Sequence, residues 1–434
     1  MDPSRAEIPP PKLITALRGY NLLPAIVFLP TRRRCDEAAS EVAADKSQRA
    51  DPHRQKRRQE IFEEFSAEFP EVLDHKHAQV IVRAGVAAHH AGHIPSWKLL
   101  IEKMMSGGFL NALFATSTVA AGVDFPARTV VITNADTRGN DGWRALTASE
   151  LQQMTGRAGR RGRDNVGFVV LAPGQFQNPK KISELLKAPP DPLESRFRAT
   201  YTSLLNLLDA FGNFEQVREI AEKSFAFRAS KRMSADSRHE DGAEMLSDRI
   251  WEPFERRSAV LEHFGYIDVA SETVTDSGKW LADLRIDRPL LVGEALKQGV
   301  FDSLKIPEAA GLMASVASDA DRSYGEMRAS RAMTDILANF EDLVVKVSNI
   351  EWKNGVEPAE EINYSAAAAA ERWTAGMEWD ELVDRTRAEE GDLVRLLSRT
   401  GEALRQLSNL RESNPAAAVI ASAAADAILR EPVR

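Results

Sequence analysis

Gln153-Met154-Thr155-Gly156-Arg157-Ala158-Gly159-Arg160-Arg161-Gly162 sets two arginines three residues apart, with small residues between them. At helical spacing Arg157 and Arg160 share one side of a turn, and the glycines let a backbone or a phosphate come close. Such a pair can reach one anion together. Guanidinium forks meeting a transferring phosphoryl group supply charge where the transition state develops it, which is the chemistry of an arginine finger. Taken alone, the ten residues also suit a surface turn making ordinary salt bridges.

Outward from this stretch, short apolar runs recur. Ala25 to Leu29 is partly β-branched, ends at Pro30 and is followed by Thr31-Arg32-Arg33-Arg34 and a helix-forming segment. Further runs lie at Gly85 to Ala88, Ala112 to Ala115, Val130 to Thr133 and Val166 to Leu171, separated by helix-compatible segments such as Ser96 to Ser106 and Ser149 to Thr155. Short buried strands alternating with helices predict an α/β domain with a parallel, doubly wound sheet, whose ligands bind beyond the carboxyl ends of the strands. Met1 to Asn21 reads as a lead-in, because Pro9-Pro10-Pro11 cannot lie inside a helix. Lys46 to Arg58, basic and without an apolar stripe, reads as a solvated loop and helix face.

Prolines and polar residues from Pro173 to Pro192 mark a domain junction. Beyond it, amphipathic segments at Arg196 to Phe211, Phe214 to Phe227 and Ile250 to Phe264 precede two short β-prone runs, Tyr266 to Val269 and Thr273 to Thr275, and a helix at Ser277 to Leu284. Helices closed by a small hairpin suggest a winged helix. From Arg288 onward the pattern is all-α, with alanine-rich segments at Ala366 to Ala370 and Ala416 to Ala427 that read as tight helix packing.

The chain of 434 residues is too long for one ordinary core. It holds no apolar run long enough to span a membrane and no signal-peptide core at its start, which predicts a soluble, cytoplasmic protein without a membrane partner. The lone Cys35 permits neither an intramolecular disulfide nor a cysteine zinc cluster, and the adjacent His89 and His90 point to opposite faces of a strand, so no metal is expected. The net charge of −8 conceals an asymmetry: residues 1–181 carry about +6 and the remainder about −14. The second part must present basic groups locally, if at all.

Two stretches upstream of the arginines complete an ordered set: Val86-Ala87-Ala88-His89-His90-Ala91-Gly92 and Ala115-Thr116-Ser117-Thr118-Val119-Ala120-Ala121-Gly122-Val123-Asp124-Phe125-Pro126-Ala127. In order and spacing the three resemble the late motifs of Ski-type DExH helicases of superfamily two. The resemblance implies a second RecA-like lobe over 24–178 after a lead-in at 1–23, a winged-helix region over 179–287 and a helical ratchet-type domain over 288–434. It further implies that Arg157 and Arg160 reach the nucleotide's phosphates, that Gln153 positions nucleotide or water, and that Gly122 and Asp124 face the ribose and phosphates. Arg32, His90, Thr116 and Thr118 match positions on the nucleic-acid backbone, and a hydroxyl beside a backbone N–H is a sequence-blind phosphate contact. The family usually has Asn where this chain has Asp124, and Glu where it has Ser117.

The resemblance extends through Phe197 to Leu208 and Glu222 to Phe225, and then to Trp373 to Gly376 and Glu390 to Arg399. Between Ala229 and Arg249 lies only a short polar bridge, as in relatives without the inserted arch. Along Glu390 to Leu410 a leucine stripe leaves Arg395, Arg399, Glu402 and Gln406 on another face. In the family this ratchet helix lies under a single strand, and Arg395 and Arg399 are the matching positions. No Gly-x-x-x-x-Gly-Lys-Ser/Thr occurs; Gly278-Lys279 is followed by Trp280, and Asp380-Glu381-Leu382-Val383 sits in a helical region rather than after a strand. The resemblance thus implies ATP as cofactor, its Mg2+ held mainly by a missing first lobe, with single-stranded RNA or DNA and a first-lobe polypeptide as partners. The chain alone is expected not to hydrolyse ATP. A non-catalytic nucleic-acid-binding or docking module built on the same scaffold is the alternative.

Overall fold

In the computed structural model the described residues are 7–48, 51–120, 127–139, 142–191, 199–223, 241–318, 322–358 and 361–434. Two compact units emerge, Met1–Pro192 with Glu390–Asp392, and Leu193–Glu389 with Leu393–Arg434.

In the first unit a helix α1 (Pro10–Gly19) precedes strand β1 (Ala25–Phe28). Pro10 and Pro11 occupy its first turn, where a missing N–H breaks no hydrogen bond, so the prolines start this helix rather than forbid it. Its Leu13, Ile14 and Leu17 are buried, so the expected lead-in is part of the core. There follow α2 (Arg32–Ala44), α3 (Pro52–Glu68), α4 (Ala78–Ala84), β2 (Val86–His89), α5 (Pro95–Ser106), β3 (Ala112–Ala115), β4 (Thr129–Ile132), a hairpin of β5 (Asp136–Gly139) and β6 (Gly142–Ala145), α6 (Ala148–Thr155), β7 (Phe168–Leu171) and α7 (Pro179–Lys187). The main sheet has the order β2-β3-β1-β4-β7, every neighbour parallel. β1 to β4 are buried along their whole length, as a sheet covered on both faces requires. Ala25, Val27, Phe114 and Val131 pack under α1, α2 and α4.

The register ends all five strands on one rung. His89 pairs with Ala115, Ala115 with Phe28, Phe28 with Ile132 and Ile132 with Leu171. Thr31-Arg32, His90 and Thr116 therefore leave the sheet at one edge.

Arg58 contradicts the solvated reading of its segment. It is fully buried on α3 and donates to three carbonyls, Nε to Val82 O (2.8 Å), Nη2 to Arg83 O (3.3 Å) and Nη1 to Phe109 O (3.4 Å). The first two are orphan carbonyls at the end of α4, and the third belongs to the loop between α5 and β3. Helix α7, expected to open the second domain, belongs to the first unit: Gln152 of α6 donates to Ala188 O (2.9 Å), and Ser149 N–H to Asp191 (2.8 Å).

The second unit is helical around one core running from Tyr201 to Val433. It comprises α8 (Tyr201–Phe211), α9 (Phe214–Lys223), α10 (Asp241–His263), a hairpin of β8 (Ile267–Asp268) and β9 (Thr273–Val274), α11 (Asp276–Ala282), α12 (Pro289–Lys297), α13 (Ile306–Ala317), α14 (Arg331–Lys353), α15 (Tyr364–Thr374), α16 (Trp379–Thr386), α17 (Glu390–Ser408) from Leu393 onward, and α18 (Pro415–Ile428). Ala366 to Ala370 are completely buried, because α15 packs closely on α13. Tyr201 donates to Glu351 (2.8 Å), tying α8 to α14, and Trp373 Nε1 donates to Ile428 O (2.8 Å), tying α15 to α18. No helix among the described residues is long and apolar enough to cross a membrane.

Replacing Arg58 by Met keeps much of its length but orphans three buried carbonyls, so the unfolding free energy of the first unit is expected to fall by about 2–4 kcal/mol in urea titrations followed by Trp97 fluorescence. An unchanged midpoint would show that water satisfies those carbonyls equally well.

Candidate functional site

Helix α6 begins with a reciprocal cap between Thr147 and Glu150 and ends at Gly156. Arg157 and Arg160 therefore lie beyond the helix, in a turn, and do not share a helical face. The turn is moored by backbone: Ala127 N–H donates to Arg157 O (3.0 Å), and Gly159 N–H to Ala127 O (2.7 Å), making a parallel bridge between Ala127 and Ala158. Gly159 has φ +89°, and Gly167 runs so close that a Cβ there would lie 2.5 Å from the Ala158 carbonyl carbon and oxygen. Ala127 and Gly167 just precede β4 and β7, so this seam sits at the amino ends of those strands, not at the carboxyl edge where the pattern alone would place it.

Each arginine has its own partner. Arg157 Nε and Nη2 donate to Ala120 O (3.2 and 2.7 Å). Arg160 Nε and Nη2 grip Asp164 in a fork (2.7 and 3.0 Å), and Asp164 also accepts from the Arg160 backbone and from Arg128 Nη1, both at 3.0 Å. The Arg160 bond, with lesser help from the backbone and Arg128, holds the Asp164 carboxyl down to about 2. Among the described residues Nη1 of both guanidinium groups makes no hydrogen bond, and Gln153 is exposed on α6. Both arginines are thus positioned while retaining a donor for an anion. Gly122 and Asp124 lie outside the described residues.

At the carboxyl edge Thr116 and Thr118 share a hydrogen bond between their hydroxyls (2.8 Å), Thr118 being exposed. Arg32, in the first turn of α2, forms a two-pronged pair with Asp392 of the same unit (2.7 and 3.3 Å). His90 is buried instead of facing outward. Its Nδ1 accepts from Gly92 N–H (3.1 Å) and its Nε2 lies 3.1 Å from Asp36 Oδ1, so its ring braces the loop after β2.

Asp36 gathers residues that the sequence pattern did not single out. Oδ1 lies 2.8 Å from His77 Nε2 and 3.5 Å from His93 Nε2, and Oδ2 accepts from Lys76 Nζ (2.7 Å). His75, stacked on Trp97 with ring centres 3.7 Å apart, meets His93 Nδ1 through Nε2 (3.0 Å). The spacings His75-x-His77 and His90-x-x-His93 were the available signal. Among the described residues Asp36, His90 and His93 offer ligand atoms within 4.8 Å of one another. The protons nevertheless argue against a metal there. Backbone N–H groups donate to His90 Nδ1 and His75 Nδ1, which puts the neutral-ring protons on Nε2; His75 Nε2–H then donates to His93 Nδ1, and the His93 proton also falls on Nε2. The nitrogens facing Asp36 are donors, not free lone pairs. Burial by itself would raise the Asp36 carboxyl, but bonds from His77, His90, His93 and Lys76 outweigh it and hold it far below the carboxylate range.

On α17 Arg395 is exposed and makes no ion pair among the described residues, whereas Arg399 pairs with Asp287 (2.8 Å) rather than with Glu402. Gln406 donates to Arg285 O (3.1 Å).

Residues 271–434 match the DSHCT (NUC185) domain. Over 257 residues the chain is 34% identical to the chloroplastic DExH-box ATP-dependent RNA helicase DExH15 of Arabidopsis thaliana, covering 54% of this chain and 22% of the relative. It is 32% identical over 251 residues to the antiviral helicase SKI2 of Saccharomyces cerevisiae, covering 55% and 19%. The exosome RNA helicase MTR4 of Homo sapiens is 35% identical over 201 residues, covering 45% and 19%. The chain matches the C-terminal portion of Ski-type helicases. These matches span about a fifth of each relative's length.

Two outcomes follow for this chain. Gly167→Ala drives a methyl group into the Ala158 carbonyl and is expected to destabilise the first unit by about 2–3 kcal/mol. Gly174→Ala, whose Cβ would find only Thr133 O at 3.7 Å, should change it by less than about 0.5 kcal/mol in the same urea titration. Equal effects would dissolve the seam argument. The second outcome concerns acid. Burial lowers His75 to about 2, with neighbouring His93 adding to it, and lowers His93 to about 3 against the opposing bond to Asp36, both from 6.5. Below pH 6.5 the unfolded chain takes up protons that these folded rings refuse, so stability is full above that pH and falls as pH drops, by up to about 1.4 kcal/mol per pH unit for each ring. Urea midpoints for the first unit measured from pH 7 to pH 5 should drop steadily; a flat profile would contradict the buried neutral network.

Proposed function

We propose that this chain supplies the second RecA-like lobe, a winged-helix region and a helical ratchet domain to an ATP-dependent nucleic-acid helicase. RNA is the more fitting strand, because two of the three relatives described above are named RNA helicases. The observation that carries the reading is the mooring of Arg157 and Arg160: two guanidinium groups fixed by their own chain, each keeping Nη1 for a phosphate oxygen. In this reading ATP is held by Arg157, Arg160 and Gln153, with Gly122 and Asp124 beside it, and Mg2+ is held mainly by a first lobe. Asp164 acts as a stand-in acceptor that keeps Arg160 extended until a phosphate takes its place. The helices around the β8–β9 hairpin support the winged helix, and the exposed Arg395 supports strand contact along α17, with Arg399 released from Asp287 when a phosphate competes. Thr116 and Thr118 offer hydroxyls to the strand, Arg32 reaches it only by exchanging Asp392, and His90 positions its loop.

Fingers without a P-loop have no triphosphate to act on, and the sequence holds none. The purified chain is therefore expected to show no strand-stimulated ATP hydrolysis. Mixing it with a polypeptide carrying a Walker lysine and a DExH box should restore hydrolysis, and Arg157→Gln or Arg160→Gln should then lower kcat by about a thousandfold. Robust hydrolysis by the chain alone, or full activity of both variants in the mixture, would overturn the assignment.

A further inference from the structure

The second unit contains a cavity of about 580 Å³ lined by Arg328, Arg372, Arg385 and Arg387, with Glu326 as its acidic residue. This basic concentration lies in the part of the chain, residues 182–434, that carries about −14 overall. Arg385 pairs with Glu381 (2.6 Å), while Arg328, Arg372 and Arg387 make no ion pair among the described residues. The wall is rigidly built. Gly325, at φ +84°, lies against the Thr386 backbone so closely that a Cβ would be 2.0 Å from its carbonyl oxygen. Arg387 ends α16 in the left-handed region at φ +51°, a strained conformation for a side chain of its size, with its N–H on Val383 O (2.8 Å).

We propose that this pocket binds backbone phosphates of a single nucleic-acid strand, an additional phosphate subsite of the same strand path that α17 presents. The proposal rests on the nucleic-acid reading above. Guanidinium forks suit phosphate oxygens, and no aromatic ring lines the cavity to stack a base, so recognition is of the backbone and blind to sequence. Continuity along the chain selects a strand over an acidic peptide. Arg387 stands three residues ahead of α17, so its Cα lies within about 18 Å of that of the exposed Arg395, a span of a few nucleotides.

The test uses the full chain and a 5′-fluorescein-labelled 20-nucleotide oligouridylate, followed by anisotropy over a range of salt. Arg387→Gly relieves the left-handed strain and Arg328→Gln changes an exposed side chain, so the double variant should melt at or above the wild-type temperature. It should bind about tenfold more weakly, and its slope of log affinity against log salt should be shallower by about 1.4, the value for two lost phosphate contacts on a single strand. Arg395→Gln serves as the reference for the α17 path. If Arg395→Gln weakens binding while the double variant keeps wild-type affinity and slope, the pocket proposal fails and the helicase reading stands. If the intact chain binds no oligouridylate, both fail. Displacement of the strand by decaglutamate from the wild type but not from the double variant would assign the pocket to acidic peptides and overturn the proposal.

Discussion

The backbone seam between Ala127 and Ala158 governs the candidate site. Two hydrogen bonds, Ala127 N–H to Arg157 O and Gly159 N–H to Ala127 O, tie the turn after α6 to the chain entering β4, and Gly167 closes against it as the chain enters β7. A loop bearing several arginines would otherwise splay from mutual repulsion and side-chain entropy. Here the backbone is fixed first, and the guanidinium groups then find Ala120 O and Asp164. Preorganised charge of this kind stabilises a developing anion without reorganisation when it forms.

The sheet gives that seam its setting. Because five parallel strands end on one rung, the loops carrying Arg32, His90 and Thr116 emerge together. The Asp36 network braces one of them. Asp36 and the Gly92 N–H lock the His90 ring by hydrogen bonding, so this network holds the loop after β2.

Much of this was readable from the sequence, for identifiable reasons. The four buried strands and the edge strand β7 announce themselves as short apolar runs, and the alanine-rich segments as close helix packing, because period and residue size are local properties. What escaped depends on partners far away in the chain. Arg58 looks solvated beside Arg54, Lys56 and Arg57, yet it is drawn inward by carbonyls more than twenty residues downstream. Pro10 and Pro11 look like breakers because their favourable position is defined only once the helix start is known. Arg157 and Arg160 stand three residues apart, but the turn that separates their directions follows from Gly156 ending α6 and from Gly159 adopting positive φ. Sequence spacing found the groups; long-range pairing set where they point.

The central claim is that Arg157 and Arg160 meet transferred phosphate held on a first RecA-like lobe. Calorimetric titration of ADP with aluminium fluoride, an analogue of the phosphoryl-transfer state, into a first-lobe polypeptide with and without this chain tests it most directly. The account predicts at least about tenfold tighter trapping when the chain is present, and loss of that gain when both arginines are replaced by Gln. Equal affinity with and without the chain, or a gain that survives the double replacement, would contradict it.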